Sequence, residues 1–177
     1  MKRLASPVTE YRLTGVLELA GGLALGVVAA VNQGPEVAVV GLLLAGAFSG
    51  TWMYFLAYRR FARRAVQEPA AAPSGEREPL NDTRRRVALT TAALLLFIAV
   101  AALPTDAGLV GGMAVGNGAA LLATSRWLRR WEGLHQRTLL REPRWRWSRK
   151  GERGWGRGRG MMDPQDFYVL TPDEPRA

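Results

Sequence analysis

Four apolar stretches, each close to twenty residues long, constrain this 177-residue chain more than any other feature. They occupy residues 13–31, 37–58, 87–103 and 107–125. A helix rises about 1.5 Å per residue, so about 20 apolar residues cross about 30 Å of hydrocarbon. Irregular backbone is excluded there, because its N–H and C=O groups would find no water to bond. The sequence therefore predicts an all-α membrane protein of four transmembrane helices.

The connections predict how the helices pair. Residues 32–36 alone separate the first two blocks, and they supply a helix-stopping Gly34 and a helix-starting Pro35. Pro104, Thr105 and Asp106 separate the last two, where Thr105 or Asp106 can accept the free backbone N–H groups of the next helix. Two helical hairpins result, over 13–58 and 87–125, packed as a four-helix bundle. Residues 1–12 form an N-terminal segment, 59–86 a basic linker and 126–177 a basic tail with an acidic end. Within the linker, residues 65–82 mix Pro, Ala and charge without apolar period, which predicts a flexible, disordered loop.

Arginine sets the orientation, since positive flanks resist translocation. Lys2, Arg3 and Arg12 precede the first block, and Arg59, Arg60, Arg63 and Arg64 follow the second. Arg84, Arg85 and Arg86 precede the third, and Arg126, Arg129 and Arg130 follow the fourth. Neither turn carries a positive charge. Both termini and the linker are expected in the cytoplasm, in a multi-pass protein of the inner, cytoplasmic membrane. Trp52, Tyr54, Tyr58, Trp127 and Trp131 gather at the same helix ends, where amphipathic rings favour the headgroup level. A cleaved leader is the competing reading of the first block, with Val28, Ala29 and Ala30 as the cleavage site. Glu18 would interrupt its apolar core, and cleavage would leave three spans. An offset of seventy positions aligns Gly41 with Gly111, Gly46 with Gly116 and Arg59-Arg60 with Arg129-Arg130. Duplication and the shared demands of any inward-starting hairpin both account for it.

Polar and small residues inside the blocks nominate the candidate sites. Glu18 lies about 6 Å on the cytoplasmic side of its block's midpoint. An acid at a helix centre costs about 2.5–3.5 kcal/mol on insertion scales, so something must offset it. Tyr54 and Thr91 fall at similar depth and are the expected hydrogen-bond donors, with Ser49 and Asn117 about a turn deeper. Glu18 is then either a proton or cation carrier or a packing residue within the bundle. Gly22 and Gly26, Gly46 and Gly50, and Gly108, Gly112 and Gly116 give small-xxx-small spacing in three blocks. Such faces let backbones approach where lipid offers little hydrophobic drive, and they serve the bundle, a homo-oligomer or a larger membrane complex.

A lone intramembrane acid near the start of the first helix resembles the small multidrug resistance exporters, a likeness carried by Glu18 alone. It implies a small proton-coupled transporter. The long basic linker and tail depart from those compact proteins. The two-hairpin layout also resembles small helper proteins encoded beside rotary ATP synthases, without any shared residue motif.

Beyond residue 125 the chemistry changes. Residues 126–160 hold twelve positive and three negative charges, equal to the whole net charge of +9. Trp127, Leu128, Trp131, Leu134, His135 and Leu139 recur at helical spacing and predict a basic amphipathic helix ending at Pro143. Arg129, Arg130, Arg144, Trp145, Arg146, Trp147, Arg149 and Lys150 are the expected contacts to anionic phospholipid headgroups, each cation being worth about 1 kcal/mol near such a surface. Nucleic acid is the less favoured polyanion, although Trp and Arg also suit base stacking. Phe167, Tyr168, Val169 and Leu170 form a short apolar run that either adds a strand to a partner, packs back on the basic helix or belongs to a disordered end.

The chain has no Cys and one His, which excludes disulfides, thiolate metal sites and cysteine nucleophiles. It has no Walker loop, nucleophile elbow or His–Glu pair at metal spacing, so no enzymatic activity and no cofactor are expected. The sequence reading is a non-enzymatic accessory or scaffold protein, with a Glu18 transporter and a membrane-tethered nucleic-acid binder as alternatives.

Overall fold

The computed structural model describes residues 2–67, 70–71, 75–102, 106–141 and 167–170. In chain order these form β1 (Lys2–Leu4), α1 (Pro7–Gln33), α2 (Pro35–Trp52), a π-helical segment (Met53–Arg59) and α3 (Arg60–Gln67). There follow β2 (Ala70–Ala71), β3 (Gly75–Arg77), α4 (Leu80–Ala102), α5 (Ala107–His135), β4 (Thr138–Arg141) and β5 (Phe167–Leu170). The protein is mostly helical, and α1, α5 and the stretch Pro35–Phe55 are long and apolar enough to cross a membrane. α4 is not among these over its described residues, because Arg84, Arg85 and Arg86 lie inside its first two turns.

Local chemistry explains the ends. Ser6 accepts the Thr9 N–H at 3.5 Å and Pro7 opens α1, so the helix begins six residues before the apolar block and carries Glu10 and Arg12 within it. Gly34, at φ 97°, is the single residue between α1 and α2, and Pro35 starts the return. Asp106 caps α5 by accepting the Leu109 N–H at 3.1 Å; Thr105 lies outside the described residues.

Glycine contacts fix the helix directions. Gly15 meets Gly118 and Gly22 meets Gly111, so α1 and α5 run antiparallel. Gly41, Gly46 and Gly50 meet Gly108, Gly112 and Gly116 in the same order, so α2 runs parallel to α5. Arg86 reaches Glu10 and Leu95 lies over Gly21, so α4 runs with α1. α5 is the central helix, packed along both α1 and α2, while α4 lies chiefly against α1 and touches α5 little.

The interior between these helices is mostly glycine and alanine, and the large apolar side chains face outward. Val31, Leu44, Phe48, Leu96 and Phe97 are each about two-thirds exposed or more. α2 buries only Ala38. Larger side chains come inside at the arginine-rich end, where Tyr11, Leu121, Leu128, Leu139 and Val169 form a core with Trp127 and Trp131 against it.

Two expectations are corrected at that end, and one of the open readings of the run 167–170 is found. Part of the linker expected to be disordered is ordered: β3 pairs in parallel with β1, β2 pairs with β5, and α4 begins at Leu80 rather than 87. The amphipathic helix stops at His135, not at Pro143. Gln136 turns left-handed at φ 51°, and the Glu132 carboxylate accepts the Leu139 N–H at 2.8 Å, which swings the chain into β4. The run 167–170 is no loose end: β5 pairs antiparallel with β4 and in parallel with β2, burying Val169 against the helix core.

Candidate functional site

The face of α1 toward α5 carries Gly15, Glu18 and Gly22 in successive turns, all buried. A Cβ on Gly15 would stand 2.8 Å from the Gly118 carbonyl oxygen, and one on Gly22 would stand 2.6 Å from that of Gly111. The backbones on either side of Glu18 are therefore nearly in contact. Glu18 itself is 3% exposed, and its Oε2 accepts a hydrogen bond from Asn117 Nδ2. A carboxyl group and an amide thus face each other across the α1–α5 interface. The amide donor satisfies a carboxyl oxygen in a site closed to water by packing.

The polar residues placed at Glu18's depth from the sequence, Tyr54 and Thr91, sit on two other elements. Tyr54 lies in the π-helical segment and packs on the core of Tyr11 and Leu128, with the Arg59 guanidinium 6.0 Å from its ring centre. Thr91 is buried on α4 at 1% exposure. Asn117, expected a turn deeper, reaches Glu18 because the contacts of Gly15 with Gly118 and Gly22 with Gly111 set the register of α5. Ser49 donates to the Met113 carbonyl at 3.2 Å and ties α2 to the opposite side of α5.

The glycine faces are divided between two interfaces. Gly108, Gly112 and Gly116 lie against α2, with Gly46 and Gly50 opposite them. Gly22 faces α5, whereas Gly26 faces the Leu42 side chain of α2. Gly15, Gly41, Gly111 and Gly118 also make close backbone approaches that the sequence reading did not single out. The signal was present as a spacing of seven, between 15 and 22 and between 111 and 118, where only a spacing of four was sought.

A second polar cluster, undetected from sequence, closes the arginine-rich end of the bundle. Glu10, 2% exposed, bridges two guanidinium groups, Arg86 of α4 and Arg141 of β4. Arg86 also donates to Glu78 at 2.8 and 3.3 Å, and Thr83 Oγ1 donates to the same carboxylate at 2.8 Å. Arg141 lies 5.0 Å over the Tyr11 ring and donates to its hydroxyl at 3.3 Å. Burial alone would lower the Arg86 pKa. Hydrogen bonding to Glu78 and the charge of Glu10 together outweigh it and hold the guanidinium above its ordinary value. In the sequence Arg86 reads only as a topological charge, and Glu10 lies before the first apolar block.

Arg129 and Arg130 are exposed on the end of α5. Arg144, Trp145, Arg146, Trp147, Arg149 and Lys150 lie outside the described residues. Phe55, Arg59, Arg60, Arg63 and Gln67 line an open cleft of about 480 Å³ that the sequence did not reveal. Among the described residues no three His, Asp or Glu side chains are grouped to hold a metal ion. Compared with known proteins, the chain matches no family model, no curated protein and no solved structure, so its functional reading stands on this geometry alone.

Proposed function

We propose that this chain is a four-span protein of the cytoplasmic membrane and acts as a non-enzymatic scaffold. Four crossings with residues 32–36 and 104–106 outside would leave both termini and the linker in the cytoplasm, where the basic face contacts anionic phospholipid or an acidic protein partner. One observation carries the membrane reading: small residues fill the interior while large apolar ones cover the outside. A water-soluble bundle has the opposite arrangement, and an apolar exterior on this scale calls for lipid. α4 supplies the fourth span from Val87 onward, where Leu89, Leu96, Phe97 and Val100 are exposed. The inward assignment rests on arginine, which gathers at one end of every helix and is absent from residues 32–36 and 104–106.

The Glu18–Asn117 pair favours a second reading, a proton-coupled transporter, since a buried carboxyl is a group that protonation can switch. Two experiments test these readings. The chain has no native cysteine, so single cysteines at Gln33, Arg63 and Arg130 can be labelled with a membrane-impermeant maleimide in intact cells. Gln33 should react from outside, and Arg63 and Arg130 only after lysis; any other pattern defeats the four-span topology. In proteoliposomes the scaffold should show the same proton flux with Glu18 or Glu18→Gln. A gradient-driven flux lost in Glu18→Gln would replace the scaffold by the transporter.

A further inference from the structure

We propose that Phe55, Arg59, Arg60, Arg63 and Gln67 form a site for one anionic glycerophospholipid at the arginine-rich end of the bundle. The site rests on the membrane reading above and is separate from the basic tail. Phe55, Arg59, Arg63 and Gln67 recur every four residues through the π-helical segment and α3, which keeps them in one file, with Arg60 beside it. Together they enclose an open cleft of about 480 Å³.

Its two ends have different chemistry. On the α2 side an exposed apolar track leads in, with Phe48 and Trp52 stacked at 6.2 Å between ring centres and Phe55 next. On the other side stand three guanidinium groups. The Arg59 carbon sits 5.6 Å from the Phe55 ring centre, so the charge is held where the apolar track ends. Among the described residues no carboxylate pairs with Arg59, Arg60 or Arg63. An acyl chain on the aromatic track and a phosphodiester on the guanidinium groups match this layout. Guanidinium binds phosphate oxygens in a two-pronged fork that one ammonium cannot reproduce. Gln67 adds an amide for the headgroup. The shared chemistry is a phosphate ester, and the presence of the track selects a lipid over a free phosphate.

The test uses full-length protein stripped of lipid in detergent and titrated with phosphatidylglycerol or phosphatidylcholine of equal chain length, with adducts counted by native mass spectrometry. The wild type should hold one phosphatidylglycerol tightly and no phosphatidylcholine. Arg59→Gln with Arg63→Gln should weaken that adduct by about thirtyfold, because two interfacial cations are removed. The tail variant Arg146→Gln with Arg149→Gln should retain it. Equal affinity in the site variant and wild type overturns the proposal, as does equal binding of the two lipids. If only the tail variant loses the adduct, the scaffold reading stands and this site falls; if maleimide labelling shows no spans, both fall. Displacement by glycerol 3-phosphate at concentrations comparable to the lipid also overturns it, because a headgroup without chains would then suffice. Should the double variant not fold, a dye on Gln67→Cys in otherwise wild-type protein gives the second measurement. It should respond saturably to phosphatidylglycerol, and a response identical in phosphatidylcholine rejects the site.

Discussion

A carboxylate between packed helices is destabilising only while it lacks a partner, and each of the two buried acids of α1 meets this demand differently. Glu18 accepts from the amide of Asn117, a hydrogen bond between α1 and α5. Interhelical hydrogen bonds of this kind contribute about 0.6–2 kcal/mol. Asn117→Ala should therefore lower stability by about 1–2 kcal/mol, measured as the loss in reversible unfolding in detergent. Glu18→Gln keeps an oxygen acceptor for the Asn117 amide in the same volume and should change stability by less than about 1 kcal/mol. A large loss in Glu18→Gln would mean that the charge itself holds the interface. Glu10 stands in a stricter setting, between Arg86 and Arg141 and almost fully buried. Glu10→Gln removes the carboxylate that bridges Arg86 and Arg141, while Arg86 keeps its ion pair with Glu78. Breaking a buried ion pair costs about 3–5 kcal/mol, so this variant should unfold the arginine-rich end first, detectable as faster amide exchange in residues 138–141. Glu18 was legible in the sequence because a charge inside an apolar run has few explanations. The contact with Asn117 was not, because depth counted from the ends of apolar blocks ignores helix register.

At the scale of helices, the bundle is specified by where backbones touch. α5 presents Gly111 and Gly118 to α1, and Gly112 and Gly116 to α2, so one helix fills the notch between two others. Close approach demands glycine only where the opposing atom cannot move. A Cβ at position 116 would lie 2.3 Å from the Gly46 carbonyl oxygen and 2.6 Å from the Gly50 nitrogen, both backbone. Gly116→Ala should therefore force α2 and α5 apart and destabilise the fold by about 2–3 kcal/mol. At Gly26 the nearest atom is the Leu42 Cδ1, at 2.5 Å, the end of a flexible side chain. Gly26→Ala should be tolerated within about 1 kcal/mol, since rotation of Leu42 relieves the contact and alanine favours the helix. Gly133 has nothing within 4 Å, and Gly133→Ala should stabilise by about 0.5–1 kcal/mol through helix propensity alone. Thermal unfolding of the three variants in one detergent checks the order 116, 26, 133. Equal effects at 116 and 26 would show that the interface is plastic. Apolar length made the helices legible, and spacing of four made half of the glycine contacts legible. The α1–α5 contacts escaped because they use a spacing of seven, and the choice of α5 as the central helix is not encoded in any one segment.

For the whole molecule, the unexpected element is the set of short strands that gathers distant parts of the chain at one end. β1 and Ala5 from the N-terminus, β2 and β3 from the linker, and β4 and β5 from the tail meet there. Ala5 and Arg141 exchange both backbone hydrogen bonds, at 2.8 and 2.9 Å, and the Glu78 N–H donates to the Leu4 carbonyl at 2.8 Å. Such pairing could not be read from the sequence, because strands of two to four residues have no measurable period and their partners lie up to about 100 positions apart. Its consequence is mechanical: the helices are held together by glycine contacts through their length and by strands and ion pairs at one end. Two-stranded pairs are marginal alone, so these strands depend on the core beneath them. Val169, 7% exposed, is where β5 enters that core beside Leu128 and Leu139. Val169→Asp would bury a charge without a partner and should release β5. Because β5 lies between β2 and β4, its release should also free the amides of Thr138–Arg141, seen as at least tenfold faster hydrogen exchange there. Exchange in Gly111–Gly118 should stay unchanged, since those residues are fixed by glycine contacts with α1 and α2. If both regions loosen together, the strands and the helices form a single cooperative unit. If neither does, β5 contributes nothing to the arginine-rich end, and the role assigned to it here is wrong.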